Sequence, residues 1–589
     1  MQLTRRDFLE LAIVTGAYLS MDPVSALAKL KAEDLMSFKS LGNVTLVFTT
    51  DMHAHLKPLY FSEPVNLVPP KGLEGLPGYV AGRDFLRMYK IAPNTLEAYF
   101  GSCVNFPELA RKFGKMGGGE HITWIIKSIV NERGRDKVLV LDGGDTWVTT
   151  AIGLFTDGKA VVDWMNYTGY HLMVGHWDFT LGKEKFLQRL KELKAEFISQ
   201  NVVDADFGDL IFKPYSIREV GGVKLGIIGN SFPFTPIANP REFVEGWSFG
   251  VREEQMQKFV NELREKHKVD AVILLSHDGL PLDIALAKKV KGIDIIISGH
   301  THDVTPRPYF VGNTMIVIAG SHGKYVGRLD LDIRNGKIRN YRFKLIPVAS
   351  NLLPADKGAK ELIDRWYKPY QEKLSEEIGV AEVLLYKRDT FFSTFDRLVG
   401  MAIADYFHGV DIVTSPGYRW GTTILPGQKI TVDDVYDFTA ITYPNVYLMK
   451  RTGEQLKAVW EDVADNVFNP DPFYQQGGDM SRLYGVEYEI EIGAKQGQRI
   501  KRAWIKGKEL DPKKEYIVAV YGGPTPPPEM LLPDVKPIPV YDIVIDYIRK
   551  KRHIYVDPTP NVKVLDAKYV SPLEGFGKGM IRKFTTVKE

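Results

Sequence analysis

The run VTLVFTTDMH, residues 44–53, decides how the rest of the chain is read. Six β-branched or apolar residues predict a buried strand, and it runs straight into Asp51-Met52-His53. Four more apolar runs end the same way. VLVLDGG (138–144) leads into Asp145, and 170–174 leads into Gly175-His176-Trp177. AVILLS (271–276) leads into His277-Asp278, and IDIIISG (293–299) leads into His300-Thr301-His302. Amphipathic stretches of helical length at 123–132, 183–196 and 253–266 separate these runs. Alternating strand and helix predicts a layered α/β domain. Side chains at the C-terminal ends of its strands can converge on one ligand site. Asp51, His53, Asp145, His176, His277, His300 and His302 supply only oxygen and nitrogen donors. Seven such groups exceed a single tetrahedral site, so two metals sharing a bridging carboxylate is the economical arrangement. Manganese, iron and zinc all accept this donor set.

Composition narrows the alternatives. The chain has 589 residues, 44% of them hydrophobic and 25% charged, the balance of a soluble globular protein. Seventy-six Lys and Arg against 73 Asp and Glu leave a formal charge of +3. No basic stripe stands out, so nucleic acid is not an expected partner. The one cysteine, Cys103, excludes an intrachain disulfide framework and a thiolate-rich metal site.

The N-terminus reads as an address. Arg5-Arg6 precedes a modestly apolar run, 8–21, and Ala26-Leu27-Ala28 offers a small-x-small cleavage site. The run is too short to span a bilayer. Residues 1–28 are expected to be a twin-arginine export signal and the mature protein periplasmic, with no membrane span. The α/β domain is expected over 40–350, and 351–378 reads as a linker running into a helix. Residues 379–589 read as a smaller α+β domain. The Pro- and Gly-rich stretch 57–119 reads as a long loop inserted after the first strand, of the kind that carries function or a partner surface.

Asp51-x-His53, Gly143-Gly144-Asp145, Ser276-His277-Asp278 and Gly299-His300-Thr301-His302 resemble the dinuclear calcineurin-type metallophosphoesterases. More narrowly they resemble the 5′-nucleotidase branch, which implies an α/β/β/α metallophosphoesterase domain followed by a smaller C-terminal domain. The resemblance places one metal on Asp51, His53, Asp145 and His302. It places the other on Asp145, His176, His277 and His300, with Asp145 as the bridge.

One position departs from that pattern. Where the phosphoesterases carry Gly-Asn-His-Glu, with the histidine as general acid, this chain reads Gly175-His176-Trp177-Asp178. An indole N–H is a donor but not an acid near neutral pH. A leaving group already stable as an anion, such as a persulfide, needs no acid. The run GHWDFT (175–180) is similar to the SoxB thiosulfohydrolases of sulfur oxidation, as are LKPLYF (56–61), GKMGG (114–118) and GGDTW (143–147). SPGYRWG (415–421), FNPDP (468–472) and QQGGD (475–479) extend that likeness through the second domain. The resemblance implies a dimanganese hydrolase, with zinc or iron as other possible ions. Its implied reaction releases sulfate from a cysteine S-thiosulfonate, or S-sulfonate, on the carrier SoxYZ. The alternatives are a periplasmic 5′-nucleotidase or cyclic nucleotide phosphodiesterase, and a metal-binding module without turnover.

Within this reading Arg419 is the candidate for gripping the sulfonate, since guanidinium matches an oxyanion bidentately. Trp177 is expected to wall the site. His121 either touches the anion or caps its helix, and His322 has a similarly open role. Asp278 and Asp303 are expected to accept from metal-binding imidazoles. QQGGD is expected to line a polar slot for a thin peptide arm, with 57–119 at its rim.

Overall fold

The computed structural model describes residues 31–523, 525–533 and 535–582. The export signal expected over 1–28 lies outside the described residues. Two six-stranded sheets form the first domain. The first runs in the order Lys337–Pro347, Tyr325–Arg334, Val44–Thr49, Val138–Asp142, Leu172–Met173, Glu196–Phe197. Its last four strands are parallel. The second runs Tyr309–Val311, Thr314–Ile318, Ile295–Ser298, Ala271–Ser276, Val223–Asn230, Tyr215–Val220, with its four central strands parallel.

Alternation along the strands fixes the layers. Ile273, Leu275, Ile295 and Ile297 join the core that contains Leu46 and Phe48 of the first sheet. Their neighbours Val272, Leu274 and Ile296 face the other way, onto Met256 and Val260 of helix Glu253–Glu265 and Leu286 of helix Leu280–Lys289. A strand's side chains point to opposite faces in turn, so one face of this sheet meets a sheet and the other meets helices. Helices Gly119–Arg133 and Lys159–Thr168 cover the far side. The result is the α/β/β/α sandwich.

Three segments depart from the sequence reading. Residues 351–378 are not a free linker: helix Lys357–Tyr367 packs on Gly119–Arg133 and Lys159–Thr168 and buries Ala359, Ile363 and Tyr367. The stretch 57–119 is not an open loop. It holds helices Gly82–Tyr89, Leu96–Gly101 and Phe106–Phe113, and its prolines and glycines punctuate them. The helix expected over 183–196 stops at Glu192, because Glu196–Phe197 is claimed by the edge of the first sheet.

The second domain is α+β. A five-stranded sheet orders Asp479–Tyr484, Ile412–Gly417, Glu515–Val520, Asn445–Thr452 and Ile538–Pro539. Four- and three-stranded sheets adjoin it, and helices Thr394–Tyr406 and Val540–Lys551 pack together on it. No helix among the described residues is long and apolar enough to cross a membrane.

Candidate metal centre

The C-terminal ends of both sheets meet at one point. Asp51, His53, Asp145 and His176 follow strands of the first sheet, and His277, His300 and His302 follow strands of the second. Their donor atoms fall into two groups, Asp51–His53–Asp145–His302 and Asp145–His176–His277–His300, with the atoms of each group within 4.8 Å of one another. Asp145 belongs to both. One oxygen of its carboxylate lies 3.1 Å from His176 Nδ1 and 3.1 Å from His277 Nε2. His302 Nε2 lies 3.2 Å from Asp51 Oδ1 and 3.0 Å from His53 Nε2.

The backbone is bent to bring this about. Asp51, His53, Asp145, His300 and His302 all have positive φ, between 49° and 71°. A non-glycine residue pays for that conformation, about 1–3 kcal/mol where the surroundings impose it. Cross-loop hydrogen bonds impose it here. Asp51 N–H donates to the Gly144 carbonyl (2.9 Å) and His53 N–H to that of Asp145 (2.8 Å), while His322 N–H donates to Asp51 (2.8 Å).

The donor set fits divalent cations. Burial drives the His53 imidazole down to about 3 and also lowers His176, His300 and His302, which leaves neutral rings with lone pairs to offer. His277 Nε2 is buried in the cluster without a hydrogen-bond partner, and His53 Nε2 and His302 Nε2 face each other at 3.0 Å. A buried polar atom left unpaired costs about 1–3 kcal/mol; coordination would recover it. Burial opposes ionisation of Asp145, but His176 and His277 hold its carboxyl well below the usual range. His277 Nδ1 faces the Gly143 carbonyl at 2.5 Å, so that nitrogen carries the proton and Nε2 turns to the cluster.

Three supporting residues escaped the sequence reading. Asp178 accepts the backbone N–H groups of Asp145 (3.1 Å), Thr146 (3.0 Å), Trp147 (2.8 Å) and His176 (3.3 Å). Asp142 accepts the Thr146 hydroxyl at 2.8 Å and Gly144 N–H at 3.0 Å. Phe232 lies against His176 and His300, with ring centroids 4.2 and 4.1 Å away. The signal for the two aspartates was adjacency: each sits within three residues of a candidate ligand. Replacing Asp178 by alanine strands these buried N–H groups, which is expected to cost at least about 3 kcal/mol. Thermal denaturation should then show a Tm lower by roughly 4–6 °C. A Tm within about 2 °C of the parent would remove Asp178 from this role.

Asp278 and Asp303 do not accept from imidazoles as expected. Asn230 Nδ2 takes both Asp278 oxygens at 2.7 Å, and the Asp303 carboxyl bonds the Thr301 side chain. His121 is also elsewhere. Its Nδ1 is engaged by the Pro354 carbonyl at 3.0 Å, and its ring lines a separate cavity with Lys57, Lys115 and Glu120. His322 stacks on Phe61 (3.6 Å between centroids), receives the Gly421 N–H at 3.3 Å, and lies 5.4 Å from His53. It therefore joins the cluster to the second domain. Cys103 is buried, and burial pushes its thiol up to about 12, so it is an inert packing residue.

A cavity of ≈ 560 Å³ opens onto His53, Asp145, His176, His300 and His302. Its walls are more apolar than QQGGD alone suggested, with Trp177, Trp420, Met449, Trp460 and Val520 among them. The Trp177 backbone N–H donates to Asp145 Oδ1 at 2.5 Å, and its indole packs 4.5 Å from Trp420. Arg419 reaches this cavity from the second domain and donates to the Gly478 carbonyl (2.7 Å) and to Asp479 Oδ1 (3.3 Å). Behind it a buried row of alternating charge runs Arg419, Asp479, Arg482, Asp396, Lys387. Each carboxylate is held between two cations, so Arg419 stands on a fixed support.

Comparison with known proteins places these two halves in a recognised class. Residues 44–304 match the calcineurin-like phosphoesterase family and residues 388–524 the C-terminal domain of 5′-nucleotidases. The chain is 27% identical over 319 residues to the trifunctional nucleotide phosphoesterase protein YfkN of Bacillus subtilis, covering 51% of this chain and 20% of that protein. It is 27% identical over 290 residues to a 5′-nucleotidase of Vibrio cholerae, covering 41% and 52%. The chain thus spans about half the length or less of these curated relatives. The solved structure of the sulfate thiohydrolase SoxB of Thermus thermophilus, in complex with glycerol, superposes with a TM-score of 0.88 at 43% identity. That match covers 91% of this chain and 99% of SoxB. The chain belongs to the SoxB-type dinuclear metallophosphoesterases of the 5′-nucleotidase branch.

Proposed function

We propose that the chain is a periplasmic, dimanganese thiosulfohydrolase acting on a cysteine S-thiosulfonate of a SoxYZ-type carrier. The observation that carries this reading is Trp177, an indole pinned beside Asp145 at the position where a phosphomonoesterase needs an acid. Asp51, His53, Asp145 and His302 would hold one ion, and Asp145, His176, His277 and His300 the other. Two divalent ions there supply a water of lowered pKa and positive charge for the oxyanion.

The remaining work falls to the chain. Water adds its oxygen to the terminal sulfur, the S–S bond breaks, and its electron pair leaves with the carrier. The balance is Cys–S–S–SO₃⁻ + H₂O → Cys–S–S⁻ + SO₄²⁻ + 2H⁺, with no oxidant. Arg419 binds sulfonate oxygens and is kept in place by Asp479. Trp177 and Trp420 close off bulk water along the apolar wall of the cavity. No group need protonate the departing persulfide.

Arg419→Ala is expected to lower kcat/KM about 100-fold, the scale of lost charge-assisted hydrogen bonds. Asp479→Asn should lower it about 10-fold, with most of the loss in KM. Steady-state kinetics on a charged carrier check both, and an Arg419→Ala enzyme at parental efficiency would remove the arginine from the site.

The reading itself is tested by incubating manganese-loaded protein with a thiosulfonate-charged carrier and with a nucleoside monophosphate, then separating the anions by ion chromatography. Sulfate without phosphate is the expected result. Phosphate without sulfate would make the chain a nucleotidase, and neither would make it a binding module.

A further inference from the structure

Arg419 has a second side. Behind it lies a chamber of ≈ 70 Å³ that shares His300, Arg419, Gly477, Gly478 and Asp479 with the main cavity. Leu67, Val68 and Tyr79 of the inserted stretch form its outer wall, and Arg388 and Thr390 lie within it. A buried water occupies some 10–15 Å³ by the same measure, so the chamber has room for about five water-sized groups.

Arg388 gives the chamber its character. The side chain is 2% exposed, its Nη2 reaches only the Thr301 carbonyl at 3.4 Å, and its Nε has no partner. Among the described residues no carboxylate forms an ion pair with it. Asp479, Glu63 and Asp303 act on it only from beyond ion-pair distance, and a guanidinium this deep with no ion pair is costly unless an anion arrives. The carboxylates nearby are mostly engaged. Asn230 holds Asp278, and Arg419 with Arg482 holds Asp479. Asp303 alone keeps an oxygen, Oδ2, without a partner.

We propose that this chamber is a binding site for a tetrahedral oxyanion, held by Arg388 and Arg419, that receives the sulfate product from the main cavity. The role as a product site rests on the thiosulfohydrolase reading; the site as such does not. With a carrier arm filling the main cavity, sulfate formed at its inner end is blocked from the front. A chamber reached past Arg419 lets sulfate leave while the carrier is still engaged. Arg419 faces both spaces and can pass the anion to Arg388 without losing its own contacts to the anion's oxygens.

The test begins with crystals of the manganese-loaded full chain soaked in tungstate. An anomalous peak within hydrogen-bond distance of Arg388 Nε, lost in Arg388→Gln crystals, is expected. A peak only among the imidazoles, or no peak, overturns the proposal. A chamber peak that persists in Arg388→Gln marks an adventitious ion only and also overturns it. Kinetics then test the route. Leu67→Trp should fill the chamber, leave single-turnover sulfate formation unchanged and lower kcat about 10-fold as release becomes limiting. An unchanged kcat with the chamber filled overturns the route. Should the parent enzyme form no sulfate from the carrier, the functional reading fails, while the tungstate result still decides the site.

Discussion

Asp145→Asn is expected to lower kcat at least about 10⁴-fold, the scale reached when a central catalytic group is removed, and to cut bound metal from two ions per chain to one or none. Asp145 is the only side chain common to both donor groups, and its carboxylate lies within 3.1 Å of imidazoles from each sheet. An amide in its place offers one neutral oxygen where two anionic ones stood. It also turns a donor toward His176 Nδ1 or Trp177 N–H, both of which now face the carboxylate. Chelation of the parent protein should act in the same direction. Five positive-φ residues and the crowded carboxylates and imidazoles would be stabilised by ions that bind only the folded chain. At a thousandfold excess over Kd, that linkage is worth about 4 kcal/mol. The expected readouts are a large fall in Tm on chelation, recovery on adding manganese, and elemental analysis of the variant. An asparagine variant that keeps two ions and a tenth of the activity would show that the bridge is not needed.

The second large effect concerns Trp177. Exchanging it for histidine should raise phosphate release from a nucleoside monophosphate by about 100-fold, the lower end of the range for a positioned general acid. The backbone there is fixed by Asp145 Oδ1 and by the turn that Asp178 holds, so the new imidazole starts from the indole's position. It would also leave a gap against Trp420, 4.5 Å away, and admit water. Sulfate release from the carrier should therefore fall while phosphate release climbs. If phosphate release stayed at the parental level, the missing acid would not be what separates this chain from the nucleotidases.

Much of the fold could be read from five strand-end motifs, because a buried parallel strand must be apolar throughout and must stop where its first polar side chain faces the ligand. The same logic brought seven side chains together on paper that lie together in space. Asp178 and Asp142 were harder, since what they do is accept backbone N–H groups, and no pattern of side chains reports where a backbone points. His121 was open between the anion and the cap of its own helix for the same reason: the sequence does not show that the chain turns it toward Pro354. The helix expected within 351–378 gave no sign of where it packs, because only one narrow face of Lys357–Tyr367 is apolar, and that face finds two helices far upstream in sequence. Arg388 sits in a run with no metal motif, and only the packing of two domains exposes its unpaired nitrogen.

Position 477 carries a mechanical consequence. Gly477 has a φ of 75°, and a Cβ there would collide with His300 Nε2. The second domain's main chain rests directly on an imidazole of the first, with no side chain as a cushion. A shift of that domain by the width of a methyl group is felt at His300 itself. The pose of the second domain and the setting of His300 are then one mechanical variable, so whatever moves the domain also bears on the donor group to which His300 belongs.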